Sequence, residues 1–206
     1  MICDDFINLK FISKSQYKYF KKILVKRKHR IFVFVTDVLG NDIFKINNNI
    51  KCIYEDKNLG GSSIVSETVS AYLLNLIGAH EFISESNVIN KSWNLDYICK
   101  IKDKNIGVSV MRAMENKYKG IIISELEKIV FKKLLKICIA TGCYDYDVNI
   151  KKTILHCFCQ NIEILKIMKL LFDNYIPKFK CNKIIIVLSL YNNNKLYIDD
   201  KSIICM

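Results

Sequence analysis

Two carboxylates stand where they could take part in metal-dependent chemistry. Glu67 falls in the first turn of a predicted helix, and Asp96 interrupts a predicted strand that is otherwise apolar. A charge in such a strand costs free energy unless a partner compensates it. Carboxylates hold Mg²⁺, and metal-dependent cleavage of a phosphodiester also needs a cation that polarises the water or steadies the phosphate. Glu67 and Asp96 are therefore candidate catalytic residues and candidate Mg²⁺ ligands.

The next predicted strand could supply further catalytic groups, but its residue types depart from the pattern this chemistry needs. Ser109 stands where a second acid would be expected, and Met111 stands where a lysine would be expected. Arg112 follows one residue later, so its side chain leaves a regular strand on the opposite face. Lys100 shares a face with Asp96 and is a candidate for a displaced cation. Ser109, Arg112 and Lys100 are therefore the remaining candidate catalytic residues. The second acid and the lysine of the expected pattern are missing from this strand.

A purely structural interpretation of both carboxylates stays open. Glu67 would then interact only with its helix dipole, which is worth about 0.3–1 kcal/mol. Asp96 would be a charge that protects an edge strand from aggregation.

The elements that position these residues follow from hydrophobic periodicity and turn signals. From Ser63 onwards the predicted order is helix, three strands, helix, strand, helix, strand. The predicted elements are the helices Ser63 to Ile77, Ser124 to Ala140 and Glu163 to Tyr175, and the strands Glu81 to Val88, Asn94 to Ile101, Ile106 to Ala113, Lys152 to Cys159 and Lys183 to Leu190. The first six match the αβββαβ core of PD-(D/E)XK nucleases. We therefore predict an α/β, restriction-endonuclease-like fold with a mixed central sheet.

The residues before this core predict an N-terminal extension with a basic helix. A helix is expected from Ser13 to Leu24, a strand from Ile31 to Val35 and another from Ile50 to Tyr54. We expect a single domain of 206 residues, in which 1–58 form the extension, 59–190 the core and 191–206 a tail.

The charge of the chain is compatible with nucleic-acid binding. The net charge is +12, and only three of the 32 basic residues are arginines. Lys, Asn and Ile are favoured by AT-rich genomes, so part of this charge could reflect mutational drift. A basic protein is nevertheless attracted to phosphate. Candidate nucleic-acid-binding residues are clustered at Lys26, Arg27, Lys28 and Arg30.

The cysteines and the apolar segments indicate a reducing, intracellular location without a membrane span. The nine cysteines are odd in number and irregularly spaced, which favours buried thiols over disulfides. The N-terminus opens with acidic residues and lacks the build of a signal peptide. No window approaches the roughly 20 apolar residues that a membrane helix needs.

Four short motifs resemble one family, the conserved late protein of baculoviruses and related insect nuclear large DNA viruses, which has uncharacterised eukaryotic relatives. They are Gly60-Gly-Ser-Ser-Ile-Val-Ser-Glu67, Leu95-Asp96-Tyr97, Gly107-Val-Ser-Val-Met-Arg-Ala-Met114 and Thr153-Ile-Leu-His-Cys-Phe158. The resemblance implies a nuclear protein of late infection that acts in nucleocapsid assembly, envelopment or egress, with viral or host proteins as partners. It implies no enzymatic activity.

Three functional hypotheses remain open on the sequence. The leading one is a nuclease-like domain that acts as a non-catalytic or weakly catalytic assembly factor. The second is an active Mg²⁺-dependent DNA nuclease. The third is a protein-interaction module that does not bind nucleic acid.

Overall fold

The computed structural model of the chain contains both strands and helices and describes residues 6–8, 30–35, 44–56, 64–87, 95–142, 150–179, 184–191, 194–198, 201 and 204–205. For residues 6–8, 30–35, 44–45 and 140–142 only the backbone is described. The strands are β1 (Phe6–Asn8), β2 (Arg30–Val35), β3 (Phe44–Lys45), β4 (His80–Ser84), β5 (Tyr97–Ile101), β6 (Lys104–Ala113), β7 (Ile150–Cys159), β8 (Ile184–Leu190) and β9 (Ile204–Cys205). The helices are α1 (Asn48–Tyr54), α2 (Ile64–Leu76), α3 (Ile123–Gly142), α4 (Ile162–Tyr175) and α5 (Asn194–Tyr197).

Seven of the strands form one mixed sheet in the order β1-β2-β8-β7-β6-β5-β4. Strands β4, β5 and β6 are antiparallel neighbours, whereas β6, β7, β8, β2 and β1 run parallel. Parallel strands with both faces covered are apolar along their whole length. This explains the run Ile184 to Leu190 in β8, whose first six residues are buried. The chain is therefore a mixed α/β protein, as predicted.

Helices cover both faces of this sheet and create two hydrophobic cores. One core joins α1, α2 and α5 to Val108 and Val110 of β6. The other core joins α3 and α4 to Met111 of the same strand. Side chains alternate between the faces of a strand. The odd-numbered residues of β6 around Ser109 therefore face α3, and the even-numbered residues face α2.

The predicted order of elements from residue 64 onwards is confirmed. In α3, four apolar residues at helical spacing face the sheet. Leu126, Val130, Leu134 and Ile137 are all buried. At the C-terminal end of α2, by contrast, the apolar residue Leu76 is 60% exposed. Small polar residues are buried instead along the first half of this helix, because it lies close against the sheet.

The predicted strand from Ile50 to Tyr54 is wrong, because these residues belong to helix α1. The Asn47 side chain caps this helix by accepting a hydrogen bond from the backbone N–H of Asn49 at 3.0 Å. Ile50 and Ile53 are buried together, which is helical spacing rather than the alternation of a strand. The helix cap therefore outweighed the local β propensity of this segment.

The first strand of the core is shorter than predicted. It ends at Ser84, and a single 3₁₀ turn from Glu85 to Asn87 follows. The Asp56 carboxylate accepts hydrogen bonds from the backbone N–H of Ser86, at 3.2 Å, and from its hydroxyl. These bonds to the end of α1 divert the chain from the extended path.

A tight hairpin between β5 and β6 fixes the register on which the candidate site depends. Its two turn residues, Lys102 and Asp103, have φ angles of 50° and 56°. Two successive positive φ angles are typical of a type I′ turn, whose twist matches that of the paired strands. Ile101 is thereby placed opposite Lys104, and Tyr97 is placed opposite Val108.

Several predictions fall partly or wholly outside the described residues. The predicted helix from Ser13 to Leu24 and the motif residues Gly60 to Ser63 lie there, whereas the strand from Ile31 to Val35 is confirmed as part of β2. Among the described helices, none combines the length and the apolar character needed to cross a membrane.

Candidate functional site

Asp96 lies immediately before β5, at the point where that strand separates from β6. Its backbone N–H still donates to the carbonyl of Val108 at 2.9 Å. Its carboxylate then accepts a hydrogen bond from the backbone N–H of Val110. The Asp96 carboxylate therefore accepts the hydrogen bond that a backbone carbonyl of the paired strand would otherwise accept.

A hydroxyl and an ammonium group complete the surroundings of this carboxylate. Ser109 Oγ donates to Asp96 Oδ2 at 3.1 Å, and Lys133 Nζ of α3 lies 3.6 Å from the same oxygen. Lys133 Nζ also donates to Ser109 Oγ at 3.2 Å. The side chains of Asp96 and Lys133 are only 19% and 26% exposed. We call this group the Asp96 cluster, and its ion pair compensates the partly buried carboxylate.

Lys133 is the residue of this cluster that the sequence did not single out. It lies at the edge of the inner face of α3, next to the fully buried Leu134. Its position beside the apolar stripe of a predicted helix is the sequence feature that could have indicated a partly buried lysine. Its partner, however, depends on which face of the sheet α3 covers.

A second carboxyl group, Glu85, lies within electrostatic range of the Asp96 cluster. Partial burial raises the pKa of Glu85 above its ordinary value, and the negative charges of Asp96 and Asp56 raise it further. The positive charges of Lys133 and Lys136 act in the opposite direction. Glu85 therefore takes up a proton more readily than an ordinary exposed glutamate.

Glu67 lies in the first turn of α2, as predicted, and is buried with only 8% exposure. Helix α2 packs on the Val108 and Val110 face of β6, whereas Ser109 faces α3. The structure thus brings Asp96, Ser109 and Lys133 together and places the helix that carries Glu67 on the other face of the sheet. Glu67 and Asp96 both contribute to the raised pKa of Tyr97, whose main cause is complete burial.

The other predicted site residues have different surroundings. Arg112 Nη1 donates to the carbonyls of Leu196 and Tyr197 at 3.1 and 3.4 Å, so its guanidinium interacts with the C-terminal end of α5. Lys100 Nζ pairs with the Glu81 carboxylate on the neighbouring strand β4. The cation next to Asp96 is therefore Lys133 and not Lys100.

Most of the predicted nucleic-acid-binding residues belong to a part of the chain that the structure does not describe. Lys26, Arg27 and Lys28 lie outside the described residues. Arg30 begins β2, and only its backbone is described.

A chain of hydrogen bonds is fully buried beneath α2, around His156 of β7. Ser70 Oγ lies 2.8 Å from His156 Nδ1 and 2.7 Å from the Tyr97 hydroxyl, and His156 Nε2 lies 2.8 Å from Ser189 Oγ. Burial lowers the pKa of His156 from 6.5 to about 3, so the ring is neutral at physiological pH. We call this group the His156 network. Its donors and acceptors satisfy one another, as buried polar groups usually do, which indicates a structural role for this histidine.

The chemistry open to the Asp96 cluster is limited by its internal bonds. The Ser109 hydroxyl already donates to Asp96 and accepts from Lys133, so each polar group of the cluster is engaged by another. The third core strand presents Ser109 and the buried Met111 to this face, with neither the acid nor the lysine of a metal-dependent nuclease. Among the described residues, no group of three or more His, Cys, Asp or Glu side chains could hold a metal ion.

Comparisons with known proteins assign no family to the chain. No family model matches it, and neither a curated protein nor a solved structure shows significant similarity. The resemblance to the baculovirus late proteins therefore rests on the four short motifs alone.

Proposed function

We propose that the chain has a restriction-endonuclease-like core that serves as a non-catalytic factor in viral assembly. The order α2-β4-β5-β6-α3-β7 and the mixed sheet support the PD-(D/E)XK interpretation of the fold. The four sequence motifs support a late nuclear role in the assembly, envelopment or egress of nucleocapsids.

One observation carries the non-catalytic part of this proposal. The Asp96 carboxylate is bonded to the Ser109 hydroxyl and the Val110 N–H, and it is paired with the Lys133 ammonium. A metal ion at this carboxylate would have to compete with all three groups. Glu67, the second expected ligand, belongs to a helix on the other face of the sheet.

The test is a cleavage assay with purified protein on end-labelled duplex, branched and single-stranded DNA. Mg²⁺ and Mn²⁺ are compared with EDTA, and the Asp96→Asn variant is the control for contaminating nucleases. We expect no metal-dependent cleavage by either protein. Cleavage that requires the metal and disappears in Asp96→Asn would overturn the proposal.

The second candidate is an active Mg²⁺-dependent nuclease, and the position of Lys133 favours it. This lysine supplies, from α3, the cation that the third core strand lacks. Asp96 would then offer an oxygen ligand to Mg²⁺, and Lys133 would steady the phosphate. This candidate requires Lys133→Met and Asp96→Asn each to abolish cleavage, whereas Lys100→Met should leave it intact. Cleavage that survives Lys133→Met would eliminate this mechanism.

Binding to DNA separates these candidates from a pure protein-interaction module. Contacts with phosphates make affinity fall steeply with salt. Binding of labelled duplex that weakens with salt, and weakens again when Lys26, Arg27 and Lys28 are replaced by Ala, would support nucleic-acid contact. An absence of binding at physiological salt would instead favour the interaction module.

A further inference from the structure

Helix α3 carries an unusual share of the exposed apolar surface. Five of the twelve large apolar side chains that are exposed among the described residues belong to it, although its inner face is already buried against the sheet. Three of the five are spaced four residues apart, namely Phe131, Leu135 and Ile139, with exposures of 47%, 42% and 52%. Such spacing produces a ridge along a helix, here about 12 Å long.

A row of positive charge runs beside this apolar row. Lys128, Lys132 and Lys136 are also spaced four residues apart, and all three are exposed. Lys132 follows Phe131 by one residue, so the lysine row is displaced by about 100° around the helix. On its other side the apolar row is bounded by α4 and the segment after it, where the Phe131 ring lies 6.1 Å from that of Tyr175 and 5.6 Å from that of Phe179.

We propose that the outer face of α3 binds an acidic amphipathic helix of a partner protein. The partner would pack an apolar ridge against Phe131, Leu135 and Ile139, and an adjacent row of Asp or Glu would face the lysine row. Apolar side chains at four-residue spacing are how a helix is held in a hydrophobic groove, and complementary charge fixes its register. This inference goes beyond the proposed function and does not depend on whether the Asp96 cluster is catalytic.

Other occupants fit the two rows less well. A second copy that used the same face would bring lysines to the contact, where they would repel the lysine row. A membrane surface would need the apolar side chains to enter the lipid by about 5–10 Å. Those of the apolar row are each about half covered by their own fold. A row of like charge beside an apolar row, by contrast, is what a single oppositely charged helix requires.

The test uses two synthetic helical peptides and measures binding by fluorescence anisotropy. Both have about 20 residues, long enough to form a helix, with Leu along one row. The acidic peptide has Glu along the adjacent row, and its twin has Lys at the same positions. The double variant Lys128→Glu/Lys132→Glu reverses the charge of the row and leaves Lys136, which lies within range of Glu85, unchanged.

We expect the wild-type chain to bind the acidic peptide and not its basic twin. Charge reversal should weaken binding of the acidic peptide by about tenfold and create binding of the basic twin, since two exposed charge pairs are exchanged. Leu135→Glu should abolish binding of the acidic peptide. Leu76→Glu, at an exposed position on α2, is the control and should have no effect, and circular dichroism verifies that each variant is folded.

Three results would overturn the proposal. The first is failure of the wild-type chain to bind the acidic peptide, and the second is equal affinity for the two peptides. The third is a different use of the same face. If Leu135→Glu abolished binding to phosphatidylserine vesicles but not peptide binding, the face would be assigned to a membrane surface. If it abolished self-association in sedimentation but not peptide binding, the face would be assigned to a second copy of the chain. None of these results affects the cleavage assay, so the two proposals fail independently.

Discussion

The buried His156 network predicts a pH dependence of stability that can be worked out from one residue. The ring makes hydrogen bonds with Ser70 and Ser189 and has no contact with water. Burial lowers its pKa from 6.5 to about 3 in the folded protein. The unfolded chain therefore binds one more proton than the folded chain between these two values. Stability is fully present above pH 6.5 and is lost as the pH falls towards 3.

The magnitude follows from proton linkage. Inside this window each pH unit costs about 1.4 kcal/mol of unfolding free energy for one proton. Lowering the pH to about 4.5 should therefore cost roughly 2.7 kcal/mol through His156 alone. This is a large fraction of the stability of an ordinary domain, which is about 5–15 kcal/mol.

The assay is urea unfolding at several pH values between about 7 and 4.5, compared among three proteins. The His156→Gln variant removes the titrating ring and keeps groups that can bond with the two serines, and His156→Asn serves if that variant fails to fold. His80→Gln is the control, because His80 lies at the surface with 41% of its side chain exposed. The wild type and the His80 variant should lose stability in this range more steeply than the His156 variant. Identical pH profiles for all three proteins would refute the assignment of a depressed pKa to His156.

Three further predictions concern stability, each measured by urea unfolding. Thr153→Val should raise the unfolding free energy by about 1 kcal/mol, because Thr153 Oγ1 is buried without a hydrogen-bond partner. Gly107→Ala should lower it by about 1–3 kcal/mol through overpacking, since the added Cβ would lie 2.5 Å from Leu95 Cδ1. Asp103→Gly should raise it by about 0.5 kcal/mol, because the φ angle of 56° is strained for aspartate and not for glycine.

Each of these predictions has a matched control within the chain. Thr68→Val removes a hydroxyl that donates to the Ile64 carbonyl at 2.7 Å, so it should destabilise the protein. Gly107→Ala should cost less in a Leu95→Ala background than in the wild type, because the Cδ1 atom with which the new Cβ collides is absent there. Lys104→Gly, one residue beyond the turn and in the strand, should be destabilising. A gain from Thr68→Val as large as that from Thr153→Val would show that the missing hydrogen bond is not the cause.

The sequence by itself predicted most of the elements of this protein, because helices and buried strands leave their period in neighbouring residues. Leu126, Val130, Leu134 and Ile137 have the spacing of a helix face, and they are buried along α3. The run in β8 has the length and apolar character of a buried strand. The segment from Ile50 to Tyr54 misled the prediction, because its apolar residues fit both periods and the cap at Asn47 decided for the helix.

The partners of the site residues were decided only by the tertiary structure. Asp96 and Lys133 are far apart in the chain, and they meet because α3 covers the face of β6 that carries Ser109. Helix α2, with Glu67, covers the opposite face. Spacing along a strand or helix shows which residues share a face, but it does not show which helix will cover that face. Strand order and the side on which each connection crosses the sheet supply that information, and they arise from packing between residues distant in the sequence.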